Sequence, residues 1–238
     1  MTEDNIMMTD QRILYDLAAA EPDRRFSPYC WRTRMALAHK GLLAETIPWR
    51  FTEKDVIAKS GQPLVPVLVD NGRWISDSWT IANYLEDTYP QAPSLFGGAA
   101  GRSLTRYYST AADAMVPALA RFLVADIHER IAEKDRAYFR ASREKRFGMT
   151  LEAASADREQ RLPAFRDSLG PLRLALKTQA FFGGESPLYA DYAIFGPFQW
   201  ARCISPFHIL DAADPLSDWL QRLLERFDGL AAKAPAYY

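Results

Sequence analysis

Two cysteines in 238 residues, Cys30 and Cys203, exclude a disulfide framework. No apolar run approaches the roughly 20 residues that a membrane-spanning helix needs. Neither sign of charge prevails. Lys and Arg number 29 against 30 Asp and Glu, a net charge of -1, and the basic residues are scattered among acids. Neither nucleic acid nor an anionic membrane is therefore expected as a partner. The three histidines, His39, His128 and His208, show no triad spacing, and no metal site is expected. Internal repeats and low-complexity segments are absent. The acidic start, Met1-Thr-Glu-Asp-Asn-Ile6, lacks a basic-then-apolar signal sequence, so a cytoplasmic address is the expectation.

What is present is an ordinary globular composition, 48% apolar and 25% charged, long enough for one large domain or two small ones. Residues 11 to about 89 mix strand and helix signals; from about 101 onward the signals are almost all helical. Between them, Tyr89-Pro-Gln-Ala-Pro-Ser-Leu-Phe-Gly-Gly-Ala-Ala-Gly101 is dense in turn residues. The expected division is a sheet domain over 1–89, a linker over 90–100 and an all-α domain over 101–238.

Arg12–Leu17 and Glu45–Phe51 read as strands, the second pushed to a sheet edge by Pro48. Leu64–Ser76 reads as a hairpin turning at Asn71-Gly72. A helix starts at Pro28, with Trp31, Met35, Ala38 and Leu42 on a buried stripe, Arg32, Arg34 and Lys40 off it, and Gly41 as the stop. Ser78 opens another. The order strand, helix, strand, hairpin, helix suits a small α/β sheet with one parallel crossover. Further helices are expected over 102–132, 134–147, 156–180, 188–203 and 215–227. Their breaks fall at Gly148, Pro163, Gly170-Pro171, Gly183-Gly184 and Ser205-Pro206.

Three features carry chemistry. Ser27-Pro28 is a standard helix start, so Ser27 either caps the helix or turns its hydroxyl to a ligand atom at the positive end of the helix dipole. No His or Asp lies near enough in sequence to make it a nucleophile, which leaves hydrogen-bond donation as its unaided role. Val65-Pro66 places a proline in an apolar strand pattern. It is either a bulge or edge position, or a cis bond whose preceding residue offers its N–H and C=O to an extended peptide. Asp77-Ser78 is either a plain N-cap or, with free helix-terminal N–H groups beside a carboxylate, a site for a ligand bearing both an amine and a carboxylate. Cys30 reads as a buried, inert thiol, because the two-cysteine exchange mechanism lacks its leading cysteine; Cys203 reads as helix core.

Ser27-Pro-Tyr-Cys30, Val65-Pro66, Ser76-Asp-Ser78 and Asp191 within Tyr189-Ala-Asp-Tyr-Ala-Ile-Phe195 together resemble the cytosolic glutathione S-transferases. Ser27–Arg34 and Trp74–Ala82 are similar to the serine-type group that includes bacterial β-aryl etherases and related fungal enzymes. The family caps the helix holding Asp191 with Ser or Thr three residues earlier; here Leu188 stands there, and Ser186 is the alternative cap.

The resemblance implies a thioredoxin-like glutathione-binding domain followed by an all-helical substrate domain, and a homodimer. It implies that glutathione brings its thiol to Ser27, pairs its cysteinyl backbone with Val65 beside Pro66, and sets its γ-glutamyl end on Asp77 and Ser78. Gln62, Lys59 and Arg50 are candidates for the glycine carboxylate. The second substrate would be a hydrophobic electrophile, with β-aryl ether cleavage one form of the reaction. Its expected pocket walls are Tyr29, Tyr107, Tyr108, Met115 and Trp200. A glutathione-dependent isomerase and a non-catalytic glutathione-binding scaffold are the other readings.

Overall fold

The computed structural model describes residues 11–238, and the acidic start of the chain lies outside them. A four-stranded sheet is built from β1 (Arg12–Leu17), β2 (Glu45–Trp49), β3 (Val67–Asp70) and β4 (Arg73–Ser76), in the order β2-β1-β3-β4. β1 and β2 run parallel, and β3 is antiparallel to both β1 and β4. β2 is an edge strand, the position its Pro48 requires. Asn71 and Gly72 turn the β3–β4 hairpin with φ of 48° and 83°, the left-handed pair that a two-residue turn needs.

Helix α1 (Pro28–His39) is the crossover between β1 and β2, and α2 (Ser78–Thr88) packs beside it. A 3-10 turn at Lys54–Ser60 leads to Val65. The helical half holds α3 (Ala99–Arg130), α4 (Glu133–Phe147), α5 (Leu151–Ser155), α6 (Arg158–Ser168), α7 (Gly170–Ala175), α8 (Tyr189–Ile204) and α9 (Pro215–Leu224). The expected 156–180 helix is divided at Gly170-Pro171, but Pro163 does not break it and sits inside α6.

Every residue of α8 except Arg202 is buried, as befits a helix apolar on all sides that packs against α1 and α3 at once. Packing against α8 and α2 corrects the single-stripe picture of α1. Arg32 and Lys40, placed off its apolar stripe, are 1% and 4% exposed, because Arg32 meets the Ala193 carbonyl of α8 and Lys40 meets Glu86 of α2 and the Tyr89 carbonyl. α1 and α8 approach so closely that a Cβ on Gly196 would stand 2.3 Å from the Pro28 carbonyl oxygen. A second junction is made by Asp135 of α4, whose carboxylate accepts from the Phe51 and Thr52 amides at 3.0 and 3.1 Å.

Leu188 precedes α8 without capping it, and Ser186 does not replace it. The carboxylate of Asp191 instead anchors the start of α8 on the loop before it. It accepts from the amides of Phe182 (2.8 Å), Gly183 (2.9 Å) and Leu188 (3.0 Å) and from Trp219 Nε1 (2.9 Å).

Candidate functional site

The register brings the three motifs to one end of the sheet. Tyr15, Val67 and Ser76 lie in one paired row, so Pro66 and Asp77 stand side by side, each one residue beyond it. On β1, the amide of Phe26 bonds the Leu17 carbonyl at 3.2 Å, which delivers Ser27 and the start of α1 to the same end.

Ser27 is 4% exposed and is the N-cap of α1. Its Oγ accepts from the Cys30 amide at 3.2 Å. The capping alternative for Ser27 is therefore the one observed; it uses a lone pair of Oγ, which leaves an O–H donor compatible with it. Tyr29 N–H, in the first turn, has no partner among the described residues. The Val65–Pro66 bond is cis, Val65 is half-buried, and neither its N–H nor its C=O has a partner among the described residues.

Ser78 does not cap α2. The cap is Asp77, whose Oδ1 accepts from Thr80 N at 2.9 Å and Thr80 Oγ1 at 3.0 Å, and Ser78 is the first helical residue. Asp77 is exposed and holds φ at +73°, a conformation that costs a non-glycine residue about 1–3 kcal/mol. The amides of Ser78 and Trp79 are left without partners among the described residues, next to the Asp77 carboxylate. Unpaired N–H groups on two helix N-termini and an unpaired Val65 backbone thus converge on one spot, which suits a short peptide with anionic groups.

The glycine-carboxylate candidates separate. Gln62 Nε2 bonds the Leu64 carbonyl at 2.9 Å, and Lys59 is exposed and makes no ion pair among the described residues. Arg50 lies at the end of the β2 edge, its Nη2 on the Ala20 carbonyl at 3.2 Å and its Nη1 4.0 Å from Glu53. Among the expected pocket walls, Tyr29 is half-buried under the Arg32 guanidinium, 4.8 Å from its ring centroid. Tyr107 is 70% exposed on α3; Tyr108 beside it packs on Phe182, its ring 5.3 Å away. Met115 is half-buried, and Trp200 is 7% exposed in α8.

Some residues that support the site escaped the sequence reading. Arg32 Nη1 pairs with Asp113 of α3 at 2.7 Å and its Nε bonds the Ala193 carbonyl of α8 at 3.1 Å, tying the first turns of α1 to both helices. Tyr189 donates to the Ser78 carbonyl at 2.8 Å; burial holds its phenol protonated far above the ordinary range. A charged residue one turn from the Ser-Pro start was the available signal for Arg32; for Tyr189 there was none.

Comparison with known proteins gives a consistent result. The model "Glutathione S-transferase, N-terminal domain" matches residues 26–88, and the model "Glutathione S-transferase, C-terminal domain" matches residues 104–229. The chain is 26% identical over 227 residues to glutathione S-transferase U26 of Arabidopsis thaliana, covering 92% of this chain and 88% of that one. A probable glutathione S-transferase of Oryza sativa subsp. japonica, GSTU6, is 26% identical over 204 residues, 82% of this chain and 80% of its own. Among solved structures, GSTFuA3 from Phanerochaete chrysosporium superposes with a TM-score of 0.81 at 24% identity, over 90% of this chain and 96% of that one. The glutathione S-transferase CsGST63524 of Ceriporiopsis subvermispora, solved in complex with glutathione, gives 0.78 at 24% identity, over 92% and 97%.

Proposed function

The chain belongs to the glutathione S-transferase family, and on that premise we propose that it activates the thiol of glutathione at Ser27 for attack on a hydrophobic electrophile. The observation that carries this is the Ser27 hydroxyl, buried at the N-terminus of α1, capped on one side and free to donate on the other. When bound, glutathione supplies the sulfur nucleophile. The residues present fit it: Ser27 for the thiol, Val65 with Pro66 for the cysteinyl backbone, and Asp77 with the N-terminus of α2 at Ser78 for the γ-glutamyl end. For the glycine carboxylate, Lys59 is the unengaged candidate.

A free thiol has a pKa of about 8.5, and lowering it by about two units takes roughly 2.7 kcal/mol of differential stabilisation. A hydroxyl donating to a charged acceptor contributes about 1.5–3 kcal/mol, and the end of a partly buried helix up to about 2 kcal/mol. Ser27 and α1 together reach the required size without a metal or a general base. Asp77 spends strained backbone to keep its carboxylate beside the open α2 amides, a cost the ligand recovers.

The finer reading, supported by Ser27-Pro-Tyr-Cys30 and Trp74–Ala82, is the serine-type group with β-aryl ethers among its electrophiles. Residues 1–89 would hold glutathione, residues 101–238 the electrophile, with 90–100 as linker. Tyr29, Tyr107, Tyr108, Met115 and Trp200 would wall the acceptor side. The partner protein is a second copy of the chain, a dimer that sedimentation velocity detects.

The test is turnover of an electrophile panel that includes β-aryl ethers, with Ser27→Ala alongside. Loss of the hydroxyl should lower kcat/KM by roughly 10- to 100-fold and move the pH profile upward. Unchanged kcat/KM in Ser27→Ala would remove Ser27 from the mechanism. Turnover without net glutathione consumption would assign isomerisation instead.

A further inference from the structure

The proposed function leaves one cleft of the molecule unused. It has a volume of about 390 Å³, the size of a small-molecule site, and lies between the loop after β1, α1, β2 and the chain that follows α9. None of the proposed glutathione contacts lines it.

Two guanidiniums form its buried part. Arg25 on the loop and Arg34 on α1 have side chains 7% and 17% exposed. They share one counter-ion, the fully buried carboxylate of Asp16, at 3.7 and 3.6 Å, and neither hydrogen-bonds to it. Arg25 gives its Nε to the Pro22 carbonyl and its Nη2 to that of Thr46, at 3.4 Å, but its Nη1 has no hydrogen-bond partner. Arg34 makes no hydrogen bond among the described residues and lies over the Trp31 ring, 4.3 Å from its centroid. Two guanidiniums against one carboxylate leave this part at +1. A guanidinium with N–H groups to spare is the side chain that takes a carboxylate in a fork.

The exposed part has the opposite balance. Asp23, Asp228 and Lys233 stand there, none in an ion pair among the described residues, and two acids against one lysine leave it at -1. Phe227, Leu230 and Pro235 add apolar surface. The Phe227 ring is fixed by edge-on contacts with His39 and Tyr192, 6.4 and 6.2 Å between centroids.

We infer that this cleft binds a free α-amino acid with an apolar side chain. Its carboxylate would sit on Arg34 and Arg25, its ammonium among Asp23 and Asp228, and its side chain against Phe227, Leu230 and Pro235. Charge complementarity selects the class. A polyanion such as a phosphate ester satisfies the guanidiniums but meets two acids at the mouth. An amine alone leaves the guanidiniums short of an anion. A zwitterion answers both, and its carboxylate gains charge-assisted hydrogen bonds from the spare N–H groups. The inference does not depend on the role of Ser27.

The experiment titrates L-phenylalanine into the full chain by calorimetry, with and without saturating S-methylglutathione, which covers the site proposed for glutathione. Phenylalanine should bind with the same affinity in both conditions. Phenylalaninamide, without the carboxylate, should bind roughly 10- to 100-fold more weakly, and N-acetyl-L-phenylalanine, without the ammonium, about threefold more weakly. Arg34→Gln should weaken phenylalanine binding roughly 10- to 100-fold and Asp228→Asn about threefold. Asp228 is exposed, and asparagine accepts its φ of 55°. Absence of binding, or binding that S-methylglutathione abolishes, overturns the inference. Equal affinity for N-acetyl-L-phenylalanine also overturns it, since the cleft would then take organic anions at large. So does unchanged affinity in Arg34→Gln, or in Asp228→Asn where Arg34→Gln fails to fold.

Discussion

Asp77 holds the fold with one carboxylate oxygen, and its proposed second task, the γ-glutamyl end of glutathione, can be separated from the first by substitution. Its Oδ1 caps α2 by taking the Thr80 amide and hydroxyl, while its charge faces the open amides of Ser78 and Trp79. Asparagine keeps the capping oxygen and tolerates positive φ, but it gives up the charge. Asp77→Asn should therefore change stability in urea by less than about 0.5 kcal/mol while weakening glutathione binding roughly 10- to 100-fold by calorimetry, whereas Asp77→Ala should also cost about 1 kcal/mol of stability. Equal glutathione affinity in Asp77→Asn would show that the carboxylate plays no part in recognition. The sequence marked these positions because Ser-Pro, Val-Pro and Asp-Ser are local backbone signals, and the register brings them to one end of the sheet. It misassigned the cap by one residue, since Asp and Ser are equally good caps in adjacent positions and only the positive φ of Asp77 separates them. Arg32, Asp113 and Tyr189 could not be assigned, because their partners are 81, 81 and 111 positions away.

At the level of elements, boundaries set by turn chemistry were legible and those set by tertiary contact were not. The Asn71-Gly72 hairpin, the Pro48 edge and the Gly170-Pro171 division follow from backbone rules. The burial of Arg32 follows from α8 and that of Lys40 from its partners on and after α2, which no window on α1 can reveal. Lys40 illustrates the consequence. At the end of α1 its Nζ lies 2.8 Å from Glu86 of α2, and Glu86 also accepts from the Ser94 hydroxyl and, at 2.9 Å, from the Leu95 amide. This clamp fixes the start of the segment joining the two halves. Burial alone would raise the Glu86 carboxyl, but Lys40, Ser94 and Leu95 together hold it below the ordinary glutamate range. Its folded pKa lies under its unfolded one, near 4.3, so its stabilisation is present above that value and is lost as pH falls toward the folded pKa. Glu86→Gln should lower stability by about 1 kcal/mol at neutral pH, and the gap between the two proteins should close on acidification. Urea titrations at several pH values check it; a gap that stays constant would exclude Glu86 ionisation as its source.

Across the whole molecule, α1 against α8 is a principal seam between the sheet half and the helical half, and Gly196 sets its closeness. A methyl group there meets backbone on α1 rather than a side chain that can swing aside: Pro28 O at 2.3 Å and Pro28 C at 3.1 Å. Gly196→Ala should cost about 1–3 kcal/mol. Because the displaced atoms adjoin Ser27, it should also weaken glutathione binding from a distance. Thermal unfolding and calorimetry on the same sample measure both; lost stability with unaltered affinity would mean that the helix start is set by the sheet alone. The two-part architecture was legible from the change of periodicity near residue 100, but the seam was not, since glycine within a helical pattern carries no mark of what lies opposite it.

The sharing of α1 limits how such a chain can be recombined. One face of that helix completes the sheet half, and the other, through Arg32 and the backbone beside Pro28, is a mould for a particular α3 and α8. A helical half transplanted from a relative would arrive without its counterpart unless the outward residues of α1 travelled with it. A change of acceptor specificity made by exchanging halves therefore has to be written partly into the helix that begins at Ser27.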